Sequence, residues 1–329
     1  MITKTNVSTI LATFNPDIQH LDLAVRSILD QRFTGDLDLV IVDDSSDDRL
    51  DKYLATIHKS GVRLIRGPCK GLGAAKAVGY GAAKFDLVAN MDADDFSHPL
   101  RFAHQINAIR EGADICGTNT TYFGDRSGGQ TFIESDRAIK FSMPFGTFIS
   151  HPSVMVNRAR LGDDGFYEPL DVCEDYELWS RLALKGYVFR NLQQRLLKYR
   201  VHAGQATATK QTRIDRVSSD IRLNYIHAAG FSEDFQQFYL KHNLAFWKLL
   251  SLADVSEFWD IVLTEGRCWG VHPQDSLRIF YAVLGRNQAL SPRLLRSTMF
   301  APRTDNLWLD LDIQLKSKFS IMRKVNTGA

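Results

Sequence analysis

Cysteine is scarce: four in 329 residues, at positions 69, 116, 173 and 268. So few and so far apart, they exclude a disulfide framework and any CxxC metal or redox site. Long apolar runs are missing too, and no stretch approaches the roughly 20 residues that span a bilayer. The opening MITKTNVSTILA scatters Thr, Asn and Ser among its apolar positions, unlike a secretory leader. Charge of one sign is not in excess. Forty Lys and Arg face 38 Asp and Glu, a net +2 that is too balanced for a protein held on nucleic acid by charge. There is no internal repeat and no low-complexity tract. With 44% hydrophobic and 24% charged residues, the composition is globular and excludes disordered, collagen-like and coiled-coil chains. At roughly 100–200 residues per domain, the length fits one large domain or two ordinary ones. A reduced, soluble, cytoplasmic protein is expected.

What is present is an alternation of short apolar runs with helix-period segments, the pattern of βα repeats around a mostly parallel sheet. Strands are expected at 7–14, 37–42, 62–65 and 85–91. Leu21, Val25, Ile28 and Leu29 form one helical stripe, as do Phe102, Ile106 and Ile109, with Pro99 in the first turn of that helix. Further helices are expected at 50–60 and from the glycine-rich Gly67–Gly73 segment to about Lys84. Beyond Gly112 the pattern loosens, with strands expected at 114–123, 151–156, 188–190 and 196–201. A short helix is expected over 174–185, with Gly186 at its C′ position. Strand signals vanish after Gln205, and amphipathic segments at 223–229, 235–250 and 277–284 predict a helical appendage. The boundary falls near Gly204, giving an α/β domain over 1–204 and a helical region over 205–329.

Two acid clusters follow strands: Asp43-Asp44, and Asp92-Ala93-Asp94-Asp95. Ligands of open α/β sheets bind beyond the carboxyl ends of strands. Carboxylates crowded into one turn repel unless a cation sits among them, and Asp-x-Asp offers two hard oxygens to one divalent ion. That suits Mg²⁺ or Mn²⁺ neutralising a diphosphate. The plain alternative is helix capping by Asp92 with the other acids solvated. Asp44 can accept from a ribose or nucleobase, or close an Asx-turn while Ser45 or Ser46 caps the backbone. Glu174-Asp175 opens a helix, where the macrodipole alone favours acids; a carboxylate there can also take a proton from an acceptor hydroxyl.

Taken in order, Ala12-Thr13-Phe14-Asn15, Val42-Asp43-Asp44-Ser45-Ser46, Gly71-Leu72-Gly73-Ala74-Ala75-Lys76, Met91-Asp92-Ala93-Asp94-Asp95, Glu174-Asp175-Tyr176-Glu177-Leu178-Trp179 and Tyr199-Arg200-Val201-His202 resemble the motifs of the inverting family 2 glycosyltransferases of the GT-A fold. The resemblance covers about residues 5–205 and is of the bacterial surface-polysaccharide type. It implies a Rossmann-like α/β sheet, a UDP-sugar donor, a saccharide or lipid-linked saccharide acceptor and a divalent cofactor, Mg²⁺ or Mn²⁺. It implies that Ala12, Phe14, Asp44, Lys76, Asp92, Ala93 and Asp95 contact the donor. Asp94, with Asp92 and His202, would hold the metal. Asp175 would be the general base with Glu174 beside it. Members often carry Arg-Asn where this chain has Lys76-Ala77, which keeps the charge without the planar fork. His202 can instead be a structural hydrogen-bonder, and a strand-end role is expected for His151-Pro152-Ser153.

A sugar-nucleotide nucleotidyltransferase would carry a glycine-rich basic loop after its first strand, where this chain has Ala12-Thr13-Phe14-Asn15-Pro16. A dinucleotide oxidoreductase fails because Gly71-Leu72-Gly73 does not leave a first strand and Lys76 breaks GxGxxG. A catalytically inactive binding module is a further alternative, disfavoured by the retained carboxylates. At the end of the chain, Leu311, Leu315, Phe319 and Met322 form a stripe flanked by Lys316, Lys318, Arg323 and Lys324. Such a basic helix either packs on the domain or lies on an anionic membrane at the cytoplasmic face. His227, Trp247, Trp259 and Trp269 are expected to fill a helical core. A homo-oligomer is compatible with all of this.

Overall fold

Val7–Thr13 (β1) is buried at all seven positions, as a strand covered by helices on both faces must be. The computed structural model describes residues 5–47, 49–55, 57, 61–202, 210–242 and 252–286. After β1, Asp17 caps Ile18–Leu29 (α1) by accepting from the amides of Gln19 and His20, and Leu21, Ala24, Val25 and Ile28 form its buried stripe. Leu37–Asp43 (β2), Arg49–Leu54 (α2), Val62–Arg66 (β3), Leu72–Ala82 (α3) and Leu87–Asn90 (β4) complete the first half. Its strands run in the order β3-β2-β1-β4, all parallel. α2 ends at Leu54, short of the expected Ser60. On one side of the sheet Leu11, Val25, Ile28, Phe102 and Ile106 share a core. On the other, Val40, Val42 and Ala75 pack together. α3 must lie close to β1, because a Cβ at Gly79 would meet Ile10 Cγ2 at 2.5 Å.

The second half adds Phe96–Ser97 (β5), Arg101–Arg110 (α4), Ile115–Gly124 (β6), Gly128–Gln130 (β7) and Asp136–Ser142 (α5). Met155–Asn157 (β8), Arg158–Leu161 (α6), Glu174–Leu184 (α7) and Phe189–Val201 (β9) follow. The sheet continues from β4 through β8, β6 and β9 to β5. β8 is antiparallel to both of its neighbours, and β6 and β9 are parallel. Three expectations need correction. Pro99 precedes α4 instead of sitting in its first turn. The expected strand at 151–156 is a 3₁₀ turn over His151–Ser153 followed by β8. The two closing strands are one 13-residue strand, because a register shift against β6 between Thr118 and Thr120 absorbs the polar Gln193–Arg195 stretch that interrupts the alternation.

The chain divides into two compact units, Met1–Tyr225 and Ile226–Ala329. The first extends past Gly204, where the strand signals end. Gln211–Ala228 (α8) supplies Arg213, whose Nη2 lies 2.8 Å from Asp171 Oδ1, and Tyr225, whose hydroxyl donates to the Lys140 carbonyl at 3.0 Å. A helical segment carries no mark in sequence of the unit it packs with. The second unit contains Glu233–His242 (α9), Leu252–Cys268 (α10) and Pro273–Arg286 (α11). Trp259, Phe258 and Phe280 pack at its centre, and Trp269 lies over Phe231 with ring centroids 4.6 Å apart. Those tryptophans fill a core as expected. His227, however, is exposed. Trp247 and the stripe at 311–322 lie outside the described residues.

Candidate active site

Pairing between β1 and β4 stops at Ile10↔Asn90, so Ala12 to Phe14 have no β4 strand beside them. The Phe14 side chain is 61% exposed there. At the end of β2, Asp43 accepts from the Ser45 amide in an Asx-turn and pairs with Arg66 at 2.5 Å, while Ser45 Oγ accepts from the Asn15 amide. Asp44 reaches the glycine-rich loop: its two oxygens accept from the amides of Cys69 at 2.7 Å and Gly71 at 2.9 Å. Each oxygen keeps a second lone pair, so a ligand hydroxyl can share the carboxylate.

The Asp92–Asp95 turn leaves β4 and is gripped by the end of β9. Antiparallel β5 and β9 pair Phe96 with Lys198. Just beyond, the Arg200 amide donates to Asp95 Oδ1 at 2.8 Å, and Arg200 Nε donates to the Asp94 carbonyl at 2.8 Å. His202 Nε2 then lies 2.9 Å from Asp94 Oδ2. Asp95 is buried and its other oxygen, Oδ2, has no hydrogen-bond partner among the described residues. Burial, followed by the charges of Asp92 and Asp94, holds its carboxyl well above the ordinary value. Ala93 packs against the core beneath the turn.

α7 brings the second acid pair. Cys173, in the left-handed region at φ 60, ends the preceding loop and starts the helix. Asp175 Oδ1 folds back to accept from the Tyr176 amide at 2.7 Å. Glu174 Oε1 receives Lys76 Nζ from α3 at 2.6 Å. α3 reaches this point because residue 73 is glycine: a Cβ there would meet the carbonyl oxygens of Leu170 and Glu168 at 2.5 and 2.9 Å. The charges interact across the site. Burial, then Asp94, Glu174 and Asp175, push Asp92 up to about 6 against the pull of Lys76. Burial, then Glu174, push Asp175 up to about 6. Burial works against ionised Glu174, but Lys76 outweighs it and holds that carboxyl below its usual range. The residues at 92, 94, 174 and 175 thus share one electrostatic neighbourhood.

Residues beyond the sequence motifs frame this neighbourhood. Tyr167, from the loop before α7, lies under Lys76 with Nζ 5.9 Å from its ring centre. His151 stands against Tyr167 and Trp179, each ring 5.7 Å away. Burial, then Lys76, keep His151 well below the usual histidine value, so it is neutral. Fully buried Arg101 donates to the carbonyls of Asn90 at 2.7 Å and Pro152 at 3.1 Å, tying the end of β4 to the His151 turn. Tyr167 and Arg101 carry no motif; only the fold brings them here.

Among the described residues, no three His, Cys, Asp or Glu side chains converge on one point as a ready-made cation cage. Asp94 and His202 nevertheless present a carboxylate oxygen and a ring nitrogen 2.9 Å apart, both still partly exposed. Two protein donors with room for ligand oxygens fit a divalent ion that is shared with a diphosphate.

The family model described as Glycosyl transferase family 2 matches residues 8–160. An uncharacterized glycosyltransferase of Methanocaldococcus jannaschii, MJ1057, is 25% identical over 272 residues, covering 79% of this chain and 90% of the relative. The Escherichia coli UDP-Glc:alpha-D-GlcNAc-diphosphoundecaprenol beta-1,3-glucosyltransferase WfaP is 28% identical over 226 residues, covering 66% of this chain and 85% of the relative. In fold, the chain is similar to S. aureus TarS 1–349 in complex with UDP-GlcNAc, with TM-score 0.54, 16% identity, and 86% and 88% of the two chains covered. Residues 8–160 thus match the family 2 glycosyltransferases, and the sheet domain has the GT-A fold.

Proposed function

We propose that this glycosyltransferase moves a sugar from a UDP-linked donor to a hydroxyl of a saccharide or lipid-linked saccharide, with inversion at the anomeric carbon. The observation that carries the reading is the shared electrostatic neighbourhood of the Asp92–Asp95 turn and the Glu174-Asp175 helix start. Ala12, Phe14 and Asp44 hold the nucleoside, and Asp92 and the backbone of Ala93 face the sugar diphosphate with buried Asp95 close behind. Asp94 and His202, with Asp92 close by, would hold Mg²⁺ or Mn²⁺. A divalent ion, when bound, supplies Lewis-acid stabilisation of the departing diphosphate.

Asp175 does the work on the acceptor. Its carboxylate takes the hydroxyl proton as the acceptor oxygen attacks the anomeric carbon, and the bond from that carbon to the diphosphate oxygen breaks as UDP leaves. With a value of about 6, Asp175 is ionised at neutral pH yet basic enough to accept that proton. WfaP, whose name gives a UDP-Glc donor and a diphosphoundecaprenol-linked acceptor, supports the substrate class. TarS bound to UDP-GlcNAc supports the nucleotide. A lipid-linked acceptor would set the enzyme peripherally on the cytoplasmic membrane face, within surface-polysaccharide assembly. No helix among the described residues is long and apolar enough to cross a membrane.

The test is to incubate the protein and Mn²⁺ with UDP-sugars and diphospholipid-linked saccharides, follow UDP release, and determine the product's anomeric configuration by NMR. The reading expects acceptor-dependent UDP release and an inverted linkage. A retained configuration would overturn the mechanism, and absence of release across UDP donors would overturn the donor assignment.

A further inference from the structure

Lys76 is one of the few buried cations of the sheet domain, and the resemblance alone would spend it on the donor. Its nearest acid is Glu174. Its Nζ is 2.6 Å from Glu174 Oε1, with only 10% and 12% of the two side chains exposed. Its flank lies over Tyr167, and its own helix packs against the 168–174 backbone through Gly73. We propose that Lys76 is a positioning residue of the acceptor base: by clamping Glu174 it fixes the start of α7 and neutralises the carboxylate beside Asp175. This rests on Asp175 being the base.

The physical need is plain. Two adjacent carboxylates at a half-buried helix start repel each other, and a cation beside one of them lowers the cost of ionising both. The groups facing Asp175 are Glu174 and Cys173 from its own segment, Lys76 from α3, Asp92 from the end of β4, and Tyr167 from the preceding loop. Lys210 acts in turn on Glu174. Arg222 acts on Cys173, and among the described residues Lys76 is the cation whose charge pulls the Asp175 carboxyl down. A buried ion pair whose lysine is removed leaves its acid uncompensated, and the neighbouring acid must then hold its proton more tightly.

The test follows the Asp175 carboxyl by ¹³C NMR titration, assigned by its loss in D175N, so it needs no turnover. K76M should move the Asp175 midpoint up by about one pH unit. E174Q should move it down, and K76M/E174Q should return it near the wild-type value. UDP affinity with Mn²⁺ should stay within about twofold in K76M. Unmoved midpoints in K76M and E174Q would overturn the proposal, as would a loss of UDP affinity of about tenfold or more in K76M without a midpoint change. If K76M fails to fold, K76Q, which removes the charge but keeps a polar group beside Glu174, takes its place with the same upward shift expected and the same unmoved midpoint overturning the proposal. Full turnover by D175N would sink the base assignment itself, which these midpoints do not measure.

Discussion

His202 Nε2 lies 2.9 Å from Asp94 Oδ2, joining two residues 108 positions apart in the chain. The contact is the tip of a longer grip. β9 runs antiparallel beside β5, and Arg200 holds Asp95 and Asp94 through a backbone amide and a guanidinium nitrogen. The acid turn is therefore fixed from two directions before any ligand arrives.

That grip gives a first expectation. D94A should abolish the Mn²⁺-dependent part of UDP binding, and H202A should weaken it about 10–100-fold. Isothermal titration of UDP with and without Mn²⁺ checks both. Unchanged affinity in D94A would remove Asp94 from the metal's donors.

The pH profile follows from Asp175. Below about 6 its carboxyl is protonated and cannot accept a proton; above that value it is ionised and can. The acidic limb of kcat/KM for the acceptor should bend near pH 6, with activity falling toward lower pH. A limb bending near 4 would mean that burial and Glu174 do not act on the base as described.

Stability should show the opposite face of the same charge. A carboxyl raised from 3.8 to about 6 binds its proton more tightly folded than unfolded, so the folded state loses stability as pH rises through that window. D175N should therefore melt higher than wild type at pH 8, by an amount of order 1 kcal/mol, and match it at pH 3.5. Thermal melts at the two pH values check this.

Gly73 tests the packing beneath the site. An alanine Cβ would collide with the Leu170 and Glu168 carbonyls, 2.5 and 2.9 Å away, and press on Glu174 Cβ at 3.1 Å. G73A should cost about 1–3 kcal/mol in urea unfolding, with a parallel fall in activity. G81A is the control, because its Cβ would meet only ring atoms of Phe166 at 3.4 Å or more.

Much of this was legible in the sequence. The apolar runs of β2 and β4 and the acid residues that end them read directly, since a strand buried on both faces leaves a nearly continuous apolar signal. The family motifs add the order of the pieces. Other features could not be read. Asp136–Ser142 and Gly128–Gln130 have no strong period, and the bulge in β9 hides a continuous strand behind polar Gln193–Arg195. Lys76 was legible as a site residue but not as the partner of Glu174, 98 residues away, because pairing across that distance is a property of the fold. Arg101 reads as an ordinary surface charge on an amphipathic helix, yet it is fully buried under the site.

The most direct test of the account compares D175N with wild type in two assays on the same preparation: UDP release in the presence of acceptor, and UDP affinity with Mn²⁺. Turnover should fall by about 10²–10⁴-fold while UDP affinity stays unchanged. Turnover that survives the substitution, or nucleotide binding that collapses with it, would contradict the assignment of Asp175 as the acceptor's base.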